Sequence, residues 1–168
     1  MELISQELNT ILDSLVTEAF TCNRILDRSM SLLSVKFKLL KTSELLHAKF
    51  AHWFPQAADL VSNLQDSRGM LTVYGATPLA NFDAVSHIEL FEMFLDEFVK
   101  YQDMIEDAID ASILEKDRMV EAFLKDYLLK LNPYIQSAMN VLDVARMYGT
   151  EPLGMQLFDN EIEHCLTV

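Results

Sequence analysis

Glu44 and His47 stand three residues apart in Thr42-Ser43-Glu44-Leu45-Leu46-His47-Ala48-Lys49-Phe50. On a helix that spacing puts a carboxylate and an imidazole on one face, within reach of one metal ion. The same stretch holds His52 and the chain's single tryptophan, Trp53. A second acid, Glu18, falls between Leu15 and Cys22, where a helical stripe calls for an apolar side chain. A carboxylate there is costly to bury without a partner. Either it is a ligand or hydrogen-bonding group inside a bundle, or it lies at the edge of the core. Glu161, His164 and Cys165, close to the C-terminus, form a weaker grouping because terminal segments are seldom held firmly.

The elements that must carry these residues are helices. The chain has 168 residues, 51% of them hydrophobic and 23% charged, with four Gly and four Pro. So few turn-forming residues disfavour a many-stranded protein. Ile4, Leu8, Ile11, Leu15, Cys22, Ile25, Leu32, Val35 and Leu39 follow three-and-four spacing, which predicts helix A over about 2–40. Thr42 or Ser43 is the expected N-cap of helix B, which runs to about Ser67. Pro55 should kink helix B near Ala51 to Trp53. If A turns back near residue 41, Glu18 lies level with about Gln65, beside Asp66 and far from Glu44. Arg68 to Phe82 is longer than the ~2–8 residues of an ordinary helix connection, so it reads as a crossover leaving B and C parallel. Within it Met70–Tyr74 is strand-like or irregular. Asp83 is the expected cap of helix C, which carries a buried stripe and an acidic one (Glu89, Glu92, Asp96, Asp103, Glu106, Asp110). Helix D follows a short turn near 112–116, should bend at Pro133 and ends at Gly149. Residues 1–149 thus read as a four-helix bundle and 150–168 as an acidic tail with a short helix near 156–165.

Charge and composition exclude some functions. The net charge is −13, with no Lys or Arg before Arg24 or after Arg146. Such a surface repels nucleic-acid phosphate and anionic lipid, so neither DNA nor membrane is an expected partner. No apolar run approaches the ~20 residues of a membrane span. The first residues lack the basic and apolar regions of a signal peptide, so the cytoplasm is the expected compartment. Two distant cysteines make neither a disulfide framework nor a zinc signature.

The local sequence resembles the Dps-type mini-ferritins of the ferritin-like superfamily. Leu46-His47-Ala48-Lys49-Phe50 is similar to their Leu-His-Glu-Lys-aromatic stretch. Tyr74-Gly75-Ala76-Thr77-Pro78 is similar to their Gly-Gly-x-Pro, and Leu124 to Leu142 to their last helix. The resemblance spans about residues 2–149. It implies an all-α, ferritin-like four-helix bundle with a long B-to-C crossover, a homo-oligomer of up to twelve chains, and iron as the metal. The family's ferroxidase site transfers only in part. His47 matches the helix B histidine, but the helix A histidine falls near Val35. The two acids fall near Ser62 and Asp66, or Asp59 and Asn63 after a shift. The other ferritin pattern takes one Glu on A, Glu-x-x-His on B, one Glu on C and Glu-x-x-His on D. Glu18, Glu44-x-x-His47 and Glu92 or Glu97 would serve it, but helix D has no such motif. The expected metal ligands are therefore His47, Asp66, Glu44 and Glu18, in an altered or degenerate, weakly ferroxidase-like site. The alternative is an oligomeric ferritin-fold interaction or structural protein without metal chemistry.

Overall fold

The computed structural model describes residues 3–168. Its elements are α1 (Gln6–Val35), α2 (Leu40–Leu46), a π-helical turn (His47–Ala51), α3 (Trp53–Ser67), α4 (His87–Leu114), α5 (Arg118–Tyr148) and α6 (Pro152–Glu161), closed by a 3₁₀ turn (Ile162–Cys165). Among the described residues there is no strand, so Met70–Tyr74 is irregular.

Pairings across α1 give the topology. Asn9 meets Gln65, and Asn23 meets Ala51, so α3 runs antiparallel to α1. Glu18 meets Lys100 and Lys36 meets Asp83, so α4 is also antiparallel to α1. Helices α3 and α4 are therefore parallel, as the crossover expectation required. Tyr101–Tyr127 and Glu92–Arg146 contacts run α5 back along α4. The result is the expected all-α bundle of the ferritin-like type.

The crossover from Gly69 climbs α1 one rung at a time. Leu71 O accepts from Asn9 Nδ2 at 3.2 Å, Val73 N donates to Asp13 Oδ1 at 2.9 Å, Gly75 N donates to Thr17 Oγ1 at 3.0 Å, and Phe82 O accepts from Arg28 Nε at 3.1 Å. Polar side chains on the outer face of α1 thus satisfy a backbone that has no secondary structure of its own. Gly75 is required by this approach: a Cβ there would stand 2.8 Å from Thr17 Oγ1.

Several boundaries differ from the sequence expectations. Helix α1 starts at Gln6, its Ser5 cap accepting from Leu8 N, and stops at Val35, which is 67% exposed. Its buried stripe runs through Leu8, Leu12, Leu15, Ala19, Cys22, Leu26 and Leu33. Ala19 takes the inward position beside Glu18, which moves to the edge of the core. Helix α2 starts at Leu40, and its cap is neither Thr42 nor Ser43. Asp159 of α6 accepts from Lys41 N and Thr42 N at 3.3 and 2.8 Å. Ser43 instead donates its hydroxyl to Met30 O at 2.9 Å. Ser86, not Asp83, caps α4; Asp83 is engaged by Lys36 Nζ at 2.7 Å.

The C-terminal segment packs on the bundle. Phe158 and Ile162 are buried, Leu157 is not, and Thr167 N donates to Ser137 Oγ at 2.9 Å.

Candidate metal centre

The middle of the bundle brings together residues of α1 and α4. Cys22 Sγ lies 3.5 Å from Glu97 Oε2 and 4.0 Å from Glu18 Oε1. One ligand atom from each of Glu18, Cys22 and Glu97 fits within 4.8 Å of the others, the one such cluster among the described residues. Glu18 and Cys22 are one helical turn apart, so a single face of α1 presents both. Lys100, one turn beyond Glu97, places Nζ 2.6 Å from Glu18 Oε1. The Glu18 side chain is 16% exposed, so this ammonium supplies the positive charge that a half-buried carboxylate needs.

The electrostatics follow from burial. Desolvation, then the Glu97 and Glu18 charges, push the Cys22 thiol far above its ordinary value. Desolvation also raises Glu97, against the Lys100 charge and the Cys22 hydrogen bond. Lys100 is raised by its bond to Glu18. Cys22 is therefore a protonated thiol, a poor metal ligand until it loses its proton.

Helices α3 and α5 complete this cross-section with aromatic rings. Asn23 meets Ala51 and Cys22 meets Glu97, which fixes the level. At that level Phe50 packs on Phe98 (centroids 5.2 Å), Phe54 stacks on Phe98 (5.1 Å) and Trp53 lies against Tyr134 (4.8 Å). Below them the buried Tyr101 and Tyr127 share a hydrogen bond of 2.8 Å, with Tyr101 Oη also 3.2 Å from Leu15 O. Burial raises both phenols, so both stay neutral.

A di-iron centre does not fit this cross-section. Such a centre takes one Glu from each of two helices and Glu-x-x-His from each of the other two. Here α1 and α4 give Glu18 and Glu97, but the π-helical turn presents Phe50, α3 presents Trp53 and Phe54, and α5 presents Tyr127 and Tyr134. No imidazole reaches the site, and Lys100 holds the space beside Glu18.

The structure separates the four ligands expected from sequence. Glu18 joins the central cluster. Glu44 and His47 lie on the outer side of the α1–α2 pair. There His47 Nε2 is 3.2 Å from Asp27 Oδ1, and the His47 and His52 ring centroids are 4.4 Å apart. Asp66 is an exposed residue near the far end of α1. Its neighbour Gln65 bonds Asn9 and Asp13, not the level of Glu18. The expected pairing of Glu18 with Asp66 is thus corrected: α1 ends at Val35, so α2 and α3 lie several residues further along α1 than a turn at residue 41 would place them. Glu161 and His164 are 3.7 Å apart at the surface, and Cys165 is buried with its Sγ toward Glu161 O.

Sequence reasoning placed Cys22 in the buried stripe of the first helix, where it lies, but it did not pick out Lys100, Asp27 or His52 as partners of the candidate ligands. A usable signal was present: Glu18 and Cys22 are four apart, and Glu97 and Lys100 three apart, each pair one helical turn.

Comparison with known proteins gives a likeness of fold. No family model matches the chain, and no curated protein matches it. Among solved structures, an open-pore ferritin from Archaeoglobus fulgidus superposes with a TM-score of 0.85 at 18% identity, over 95% of this chain and 96% of the other. A Chlorobium tepidum ferritin superposes with a TM-score of 0.80 at 23% identity, over 98% and 99%. A humanized archaeal ferritin gives 0.84 at 18% identity, over 95% of each chain. The chain has the ferritin fold over nearly its whole length.

Proposed function

We propose that this chain is an iron-binding, storage-type protein of ferritin fold that works as a homo-oligomer and has an altered ferroxidase centre. The observation that carries the reading is the central cross-section. Two carboxylates remain on α1 and α4 at half of a four-helix carboxylate site, with a thiol and an ammonium beside them, while aromatic rings occupy the other half. On this reading iron is cargo, held by carboxylate oxygens on an acidic protein, and no fast oxidation occurs inside the bundle. The net charge of −13 favours cation uptake and disfavours DNA. Among the described residues no helix is long and apolar enough to cross a membrane; the cytoplasm is the compartment this reading assigns. The mini-ferritin resemblance implies a dodecamer, whose mass by light scattering would be near twelve times the 19.2-kDa chain.

The Lys100–Glu18 pair favours a second reading. An internal cation already neutralises the carboxylate a metal would use, which suits a ferritin-fold oligomer without metal chemistry. Anaerobic Fe(II) loading, air exposure and size-exclusion chromatography with iron quantified across the protein peak separate the two. The first reading expects many iron atoms per subunit in the oligomer peak, with oxidation no faster than in protein-free buffer. A stable oligomer without iron would establish the second. Rapid protein-dependent oxidation would overturn the altered-centre reading.

A further inference from the structure

The outer face of the α1–α2 pair carries a second group of ligand-type residues, independent of the central cluster and of iron storage. In an α-helix, positions five apart point in different directions. In the π-helical turn His47–Ala51 the extra residue brings them nearly into line. His52 N donates to His47 O at 3.2 Å, the five-residue bond of that turn, and the two imidazoles lie side by side, 4.4 Å between centroids and tilted by 60°. The turn has a local cause. Pro55 cannot donate to Ala51 O, and Asn23 Nδ2 donates to it instead at 3.0 Å.

Asp27 of α1 meets His47 from the neighbouring helix. Its Oδ1 lies 3.2 Å from His47 Nε2. A zinc ion with nitrogen and oxygen ligands at about 2.0–2.1 Å in tetrahedral array separates those two atoms by roughly 3.3 Å. The Asp27–His47 pair therefore already spans one edge of a zinc tetrahedron, with the imidazole and carboxylate drawn from different elements. His52 is exposed and supplies a third ligand only once its side chain turns toward the pair, because the three sets of ligand atoms do not yet all lie within 4.8 Å of one another. Glu44, one turn before His47, lines the same shallow groove as Asp27 and His47.

We propose that Asp27, His47 and His52 form a surface site for a borderline divalent transition ion of the zinc class, with Glu44 or water as fourth ligand. Two imidazoles with one or two carboxylates select zinc, copper or nickel over magnesium or calcium. The π-helical turn is the device that assembles the histidine pair, and metal binding fixes His52 in a single rotamer.

The test uses the full-length, metal-free protein and competition for Zn²⁺ with a chromophoric chelator. One Zn²⁺ per subunit is expected, and His47→Gln, His52→Gln and Asp27→Asn should each weaken binding tenfold or more. His164→Gln should leave it unchanged. Circular dichroism of each variant reports folding; the three altered side chains are at the surface, so helix content should be retained. Co²⁺ substitution locates the ion. Its absorption should lack a thiolate charge-transfer band, because no cysteine lies in the site. Absence of Zn²⁺ binding, a His52→Gln variant with wild-type affinity, or a cobalt–thiolate band that moves the ion to Cys22 would each overturn the proposal.

Discussion

Asn23 Nδ2 donates to the carbonyl of Ala51 at 3.0 Å, the oxygen to which Pro55, four residues on, has no N–H to give. A side chain of α1 thus supplies the hydrogen bond that proline removes from the neighbouring helix. Without it a mostly buried carbonyl would be left unpaired, which costs about 1–3 kcal/mol. Asn23→Leu should lower unfolding free energy by that amount in urea titrations. Pro55→Ala restores an N–H to the helix, so the double variant should lose less than the two single changes added. Additive losses would show that the Asn23 bond and the proline act separately.

The helix count, the crossover and the parallel arrangement of α3 and α4 were legible in the sequence, because they rest on apolar periodicity and on one long Gly- and Pro-bearing connection. The central cluster was only half legible. Glu18 stood out as an acid in an apolar stripe, yet its partner Lys100 lies 82 residues away and follows no local pattern. The position of Glu44 and His47 was misleading for a related reason. Their three-residue spacing is real, but the phase of the helix is set by Leu46 and Phe50, both fully buried. Those two side chains take the inner face and turn Glu44 and His47 outward. Asp159 as the cap of α2 was out of reach, since no short-range signal ties residue 159 to residue 41.

Lys100 controls what the central carboxylates can bind. Lys100→Met removes the ammonium 2.6 Å from Glu18 Oε1 while keeping a long apolar stem. With Lys100 more than half exposed, the loss of stability should be about 1 kcal/mol or less. The larger effect should be on metal binding. In a His47→Gln background, which removes a ligand from the surface site, Mn²⁺ should raise the melting temperature of the Lys100→Met protein by more than it raises that of the Lys100 protein. Equal shifts would mean that the cluster does not take a cation even when its internal one is gone.

Both thiols should be inert in the native protein. Cys22 is fully buried, and desolvation is the first cause of its raised thiol, with Glu97 and Glu18 adding to it. Cys165 is 4% exposed and is raised chiefly by burial. A chromogenic disulfide reagent at pH 8 should titrate no thiol in the native state and two in denaturant. Because burial leads, Glu97→Gln should leave Cys22 unreactive. Fast labelling of that variant would shift the cause to the carboxylate.

His87 gives the bundle an acid-sensitive joint. It is 1% exposed, neither ring nitrogen has a hydrogen-bond partner, and Phe37, Phe91 and Phe158 surround it at 6.2, 5.8 and 6.0 Å between centroids. Desolvation lowers its pKa below the ordinary 6.5, so the unfolded chain binds the proton more readily than the folded one. The sign follows by linkage. The stability associated with neutral His87 is fully present above pH 6.5 and is lost as pH falls from there through the depressed folded value. Asp83 and Glu121, both lowered by lysine or arginine partners, lose their contributions in a separate window, below about pH 4.5. Glu97, raised by burial, acts in the opposite sense above its ordinary 4.5, so the wild-type profile alone is a mixture. The difference between wild type and His87→Leu isolates the histidine. Leucine removes two unsatisfied nitrogens, so the variant should be more stable at pH 7.5 by about 1 kcal/mol. That advantage should grow as pH drops from 6.5 to 5. Because Phe158 belongs to α6, the first segment released by protonation should be α6, read as faster amide exchange over 152–165 in wild type than in the variant. A pH-independent difference in melting temperature would rule out His87 as the titrating group.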